Sequence, residues 1–241
     1  MDEDELYFFD LCGYICVRDV LSAAEVAAAN AAVDAHSMEA VQSGHRKGAP
    51  RIPEGKTLDD TSRWDYRGML GWEPEESRAP FVRMLAHPKL TRFLNTICGR
   101  GFRMDHGPTL ITQRKGSPSG SLHGSSGPGF NPASYYIWKD GCMHNGLVVV
   151  SFQLVDCPAG AGGLAVVPGS HKGNVRMPSH MRDPGSPTPM SAQLVDQAVC
   201  NAGDVVIFTE VGNGIDFTTS MRPNSISSPV PQDFHAHTLH A

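Results

Sequence analysis

Eleven histidines and six cysteines hold most of the reactive chemistry open to this chain. Imidazole is a common ligand for first-row metals and titrates near neutral pH, so each histidine context matters. His123 stands in Gly120-Ser121-Leu122-His123-Gly124-Ser125, where it reads either as an exposed loop residue or as a metal ligand. The residues beside it favour neither. His171, in Pro168-Gly169-Ser170-His171-Lys172, falls at a strand-ending turn and is expected to hydrogen-bond local backbone. His87 beside Pro88 reads as a turn residue, as does His144, with metal ligation as the alternative for His144; His106 lies near a strand that could face a pocket. Cys12, Cys16, Cys98, Cys142, Cys157 and Cys200 form no CxxC pair, so neither a zinc site nor a disulfide framework is expected. They read as reduced, mostly buried thiols.

The elements that position these residues change character along the chain. Phe8 to Val17 alternates apolar residues around Gly13 and predicts a strand. Ser22 with Glu25 forms a capping-box pattern ahead of an alanine-rich helix from Ala23 to His36. Ser43 to Arg67 is rich in Gly, Pro, Asp and Arg, which predicts a long surface loop of the kind that can act as a lid. Phe81 to Ile97 has near-helical apolar spacing broken at His87-Pro88, predicting two short helices. After Gly99, short β-branched runs at Pro108 to Gln113, Leu147 to Asp156, Leu164 to Pro168 and Asp204 to Thr209 alternate with Gly/Pro/Ser turns. A mainly β domain with N-terminal helices on its outside follows.

Composition narrows the function classes. The 241 residues suit one domain, and the formal net charge of -5 without a long basic run argues against a nucleic-acid partner. No stretch approaches the roughly 18 apolar residues of a membrane span. The acidic opening MDEDELYFF lacks the charge of a secretory signal, and the Leu239-His240-Ala241 ending is not a peroxisomal address, so a cytoplasmic location is expected.

Three runs, in order, carry a family likeness: Val148 to Asp156, Gly162-Gly163-Leu164-Ala165-Val166-Val167-Pro168-Gly169-Ser170-His171-Lys172, and Ala202-Gly203-Asp204-Val205-Val206-Ile207-Phe208. With the opening Phe9-Asp10-Leu11-Cys12-Gly13-Tyr14, they resemble the phytanoyl-CoA dioxygenase family over about Leu6 to Glu210. The resemblance implies a double-stranded β-helix, a cupin-like jelly roll. It also implies an oxidoreductase that uses Fe(II) and 2-oxoglutarate to hydroxylate a small or lipid-like molecule. In that family the metal is held by His-X-Asp and a distant second His, and an arginine pairs with the far carboxylate of 2-oxoglutarate.

Carried over by position, His123 matches the first metal ligand, and Ser125 stands where the carboxylate belongs. Asn213 occupies the slot of the second His, and Arg222 has a spacing suited to the cofactor-binding arginine. The likeness fades beyond Glu210, so residues 1–210 are read as the family domain and 211–241 as a divergent tail. The tail from Met221 to Ala241 lacks apolar strands, which leaves two readings. Either the chain is altered after Glu210, by a gene-model or splicing error, and the barrel is incomplete at its C-terminus, or His235, His237 or His240 folds back to replace the ligand. The missing strands favour the first. Three functions remain open: a 2-oxoglutarate-dependent dioxygenase, a catalytically silent binding protein with a degenerate metal site, and a halogenase-like relative in which halide fills the place left by the carboxylate.

Overall fold

In the computed structural model the acidic opening is a helix, α1 (Glu3–Cys12), and only Tyr14–Val17 form the expected strand, β1. This corrects the reading of Phe8 to Val17 as one strand. Asp2 and Glu5 make a full capping box, each side chain bonding the other's backbone N–H. Four free amides at the helix start are thereby partly satisfied, and the acidic side chains suit the positive end of the helix dipole. The structure describes residues 1–37, 41–42, 64–114, 122–124, 130–131, 134–181, 193–211, 214–217 and 235–240.

Helix α2 (Ala23–Ala35) starts at the predicted Ser22/Glu25 box, and α3 (Glu75–Leu85) and α4 (Pro88–Ile97) are separated at His87-Pro88 as expected. Proline at the first helical position costs no hydrogen bond there, which is why α4 begins where it does. The strands are β2 (Val41–Gln42), β3 (Trp64–Arg67), β4 (Thr109–Arg114), β5 (Tyr136–Lys139), β6 (Cys142–Asn145), β7 (Val148–Gln153), β8 (Gly163–Val166), β9 (Asp196–Gln197), β10 (Val205–Thr209), β11 (Gly214–Phe217) and β12 (His235–His240). Trp64–Arg67 therefore belongs to a sheet and not to the long loop expected over Ser43 to Arg67. The rest of that loop lies outside the described residues.

Seven strands form one sheet in the order β1-β10-β7-β12-β4-β3-β2, and a smaller sheet runs β11-β8-β9, with β5-β6 a separate hairpin. All pairings are antiparallel. The expectation of a tail without strands is corrected here, because β12 lies between β4 and β7 and joins the two halves of the larger sheet. Side-chain hydrophobicity was the wrong criterion for this segment: a strand in the middle of a sheet is held first by its backbone ladders.

Strand β10 is buried along its whole length and divides its side chains between two cores. Val205 and Ile207 pack with Val150, Phe152 and Leu110 against helix residues such as Phe9, Phe81 and Phe93. Val206 and Phe208 pack on the other face with Leu164 and Val166 of the small sheet. Period-two alternation makes this division strict, since a one-residue slip would exchange the two sets.

The motif residues act as clamps between elements. Gly13 has φ +81°, and a Cβ there would lie 2.4 Å from His171 Nδ1. His171 is buried; its Nε2 lies 3.0 Å from the Asp10 carbonyl oxygen, while Lys172 Nζ is 2.6 Å from the Asp10 carboxylate. Tyr136 donates its hydroxyl to the same carboxylate. The opening and the Pro-Gly-Ser-His-Lys run are thus two halves of one joint. A second joint forms at Asp204, whose carboxylate accepts from Asp19 N (2.9 Å), Asn201 N (2.8 Å) and Arg18 Nη1 (2.7 Å). Burial would raise the pKa of Asp204, but these donors outweigh it and hold the group below its ordinary value.

Candidate functional site at the end of the larger sheet

A cavity of about 660 Å³ opens where Thr109 at the start of β4, Val148 at the start of β7 and Glu210 just past β10 come together. Leu90 and Leu94 of α4 line it, with Phe102 and Met104, both of them exposed. The size suits a small organic ligand. Asp65 and Arg67 of β3 also line it, opposite Ile111 and Thr109 in the ladder. Among the described residues its basic side chains are Arg67 and Arg103, and its histidines are His87, His106 and His123.

His123 is set in this wall by its neighbour. Leu122 is buried against Ala165, Val167 and Met177, which anchors the segment on the small sheet. Glu210 approaches from the other side. Its amide donates to Leu147 O at 3.0 Å and that of Thr209 to Gly13 O at 3.1 Å, so the backbone is fixed at the exit of β10. His123 Nε2 and Glu210 Oε1 are 4.0 Å apart, with the side chains 65% and 30% exposed. An imidazole and a carboxylate facing one cavity can share a proton or together bind a divalent first-row metal.

The other sequence candidates divide clearly. His171 is structural, as expected, and burial pushes its pKa below the ordinary value. His87 stands at the N-cap position of α4 without a side-chain capping bond and lines the cavity, and His106 pairs with its neighbour Asp105 at the cavity wall. His144 sits in β6 opposite Ile137 and is not part of the cavity lining. Ser125, Asn213 and Arg222 lie outside the described residues. In β12, His235, His237 and His240 occupy the register positions opposite Arg114, Thr112 and Thr109.

The family pattern does not mark Glu210, because it puts the ligands at His-X-Asp and a distant His; its signal in the sequence is its place just past the apolar run Val205 to Phe208. Among the described residues, the one group of three close metal-binding side chains is Cys16, Cys200 and Asp204. Its Asp204 oxygens are already committed to Arg18, Asp19 and Asn201, and the thiols lie 3.3 Å apart within the core between the sheets, so we read it as structural.

Comparison with known proteins identifies the fold and the family. HygX from Streptomyces hygroscopicus, solved with nickel, 2-oxoglutarate and hygromycin B bound, superposes with a TM-score of 0.72 at 15% identity, over 100% of this chain and 86% of HygX. The epimerase SnoN, solved in complex with Fe3+, alpha ketoglutarate and nogalamycin RO, gives a TM-score of 0.62 at 18% identity, over 99% of this chain and 81% of SnoN. At such identities the likeness is one of fold. No curated protein matches the sequence. The family profile of phytanoyl-CoA dioxygenase (PhyH) matches residues 9–210, most of the chain. On the strength of that match, the chain belongs to the phytanoyl-CoA dioxygenase family.

Proposed function

We propose that this protein is an Fe(II)- and 2-oxoglutarate-dependent oxygenase on a double-stranded β-helix, acting on a C–H bond of a small organic molecule. The observation that carries the reading is His123 and Glu210 facing one cavity at the end of the larger sheet. Their donor types suit a divalent iron: an imidazole nitrogen and a carboxylate oxygen, 4.0 Å apart on the wall of one cavity. His123 is the ligand that the family resemblance also selects. Iron bound with 2-oxoglutarate supplies the oxidising power, through oxidative decarboxylation of the 2-oxo acid.

The chain's own residues supply orientation and a dry wall. Leu90, Leu94 and Ile111 present apolar surface to the cavity, which favours an organic substrate and displaces water. Arg222 is the residue assigned by resemblance to the far carboxylate of 2-oxoglutarate. Arg67 and Arg103 line the cavity and are the alternatives in the described part of the chain. A planar guanidinium matches a carboxylate in two parallel hydrogen bonds, so replacing the responsible arginine by alanine raises the KM for 2-oxoglutarate.

A second reading, a silent binding protein, has one observation in its favour: among the described residues no third His, Cys, Asp or Glu completes a close group with His123 and Glu210. The two readings differ in turnover. Iron(II)-loaded protein under air converts 2-oxoglutarate to succinate and carbon dioxide if it is an oxygenase, and His123→Ala abolishes this. Succinate formation no greater than that of His123→Ala assigns the cavity to binding alone.

A further inference from the structure

We propose that Glu210 is the carboxylate ligand of the metal centre, standing in for the Asp that Ser125 replaces. The inference rests on the metal reading above and goes beyond it, since the family pattern puts the carboxylate two residues after the first His and assigns no role to Glu210.

Three observations support it. First, Glu210 follows β10 directly and lines the cavity beside His123 and Phe208, the last residue of β10 that faces the small sheet. Second, the backbone there is held from both neighbours, by Leu147 O and Gly13 O, so little motion is needed to present the side chain. Third, the 4.0 Å between His123 Nε2 and Glu210 Oε1 is too long for a direct hydrogen bond. Two donors on one face of a first-row ion would stand roughly 3 Å apart with bonds of about 2.1 Å, so a side-chain shift of about 1 Å at these partly exposed residues would bring both onto one ion.

Charge points the same way. His123 alone would leave a divalent ion with only a neutral protein donor, a weak site for Fe(II). Glu210 restores one negative charge without altering the His-Gly-Ser run. A partly exposed pair of this kind contributes little to stability, so stability alone gives little reason for the arrangement.

The test uses the full-length protein, stripped with chelator and titrated anaerobically with Mn(II), with bound metal followed by electron paramagnetic resonance and by the rise in melting temperature. Wild type is expected to give saturable binding and a metal-dependent rise. Glu210→Gln, which keeps the shape and removes the charge, is expected to weaken binding on the order of 100-fold and lose the rise. Glu210→Asp, which keeps the charge on a shorter arm, is expected to fall between them. Metal-free melting curves of both variants identify any loss of fold. Equal binding by wild type and a folded Glu210→Gln overturns the role of Glu210 while leaving the oxygenase reading in place. Absence of binding by folded wild type overturns both.

Discussion

Gly13 tests the joint between the opening and the Pro-Gly-Ser-His-Lys run one atom at a time. Gly13→Ala places a methyl group 2.4 Å from His171 Nδ1 on a backbone at φ +81°, so it combines a clash with left-handed strain. Such strain costs about 1–2 kcal/mol and the clash adds to it, so a loss of at least 2 kcal/mol in chemical denaturation is expected. A change within about 0.5 kcal/mol would mean that His171 moves aside freely. Asp204→Asn leaves the shape and removes the charge that three donors share. Hydrogen bonds to charged groups are worth more than neutral ones, and a fall of roughly 2–3 kcal/mol is expected from the same measurement.

At the scale of elements, β12 makes the sharpest prediction. Its six residues pair with β4 on one side, and Thr238 to His240 pair with β7 on the other. Its amides should therefore exchange slowly with solvent, on the timescale of global unfolding. Fast exchange across 235–240 would show that the tail is not part of the sheet.

The sequence made some elements legible and hid others for physical reasons. The Ser22/Glu25 box, the break at His87-Pro88 and the runs that became β4, β7, β8 and β10 each carry a local signal in side-chain type. Helix α1 carried one too, in Asp2 and Glu5, but the apolar alternation after it suggested a strand. His-Ala-His-Thr-Leu-His has neither an apolar run nor a turn signal, and its strand depends on two partners distant in sequence. The pairing of His123 with Glu210 was hidden for the same reason: it exists only once β10 and the Leu122 anchor are in place.

For the whole molecule, helices pack on one face of the larger sheet and the small sheet on the other; the joint at Asp10 ties α1 to the segment after β8, and that at Asp204 ties the end of β1 to the turn before β10. Among the described residues no helix is long and apolar enough to cross a membrane. Acid should weaken this assembly in two stages. His171 has a folded pKa below its ordinary 6.5, with burial the main cause, so its contribution is present above that pH and is lost as pH falls through the lower folded value. Asp204 and Asp10 lie below the ordinary 3.8, where hydrogen bonds outweigh burial, and their contribution disappears only as pH falls further through their own depressed values. His171→Gln should remove the first stage of a stability-against-pH curve and leave the second; an unchanged curve would contradict the assignment.

The same architecture brings the Leu122 segment and the end of β10 to one cavity, the proposed meeting point of iron and 2-oxoglutarate. The most direct measurement is anaerobic visible spectroscopy of the protein with Fe(II) and 2-oxoglutarate. The charge-transfer band of the iron–2-oxo acid chelate is expected in wild type and is expected to be lost in His123→Ala. A folded wild type that shows no band at saturating Fe(II) and 2-oxoglutarate would contradict the proposal.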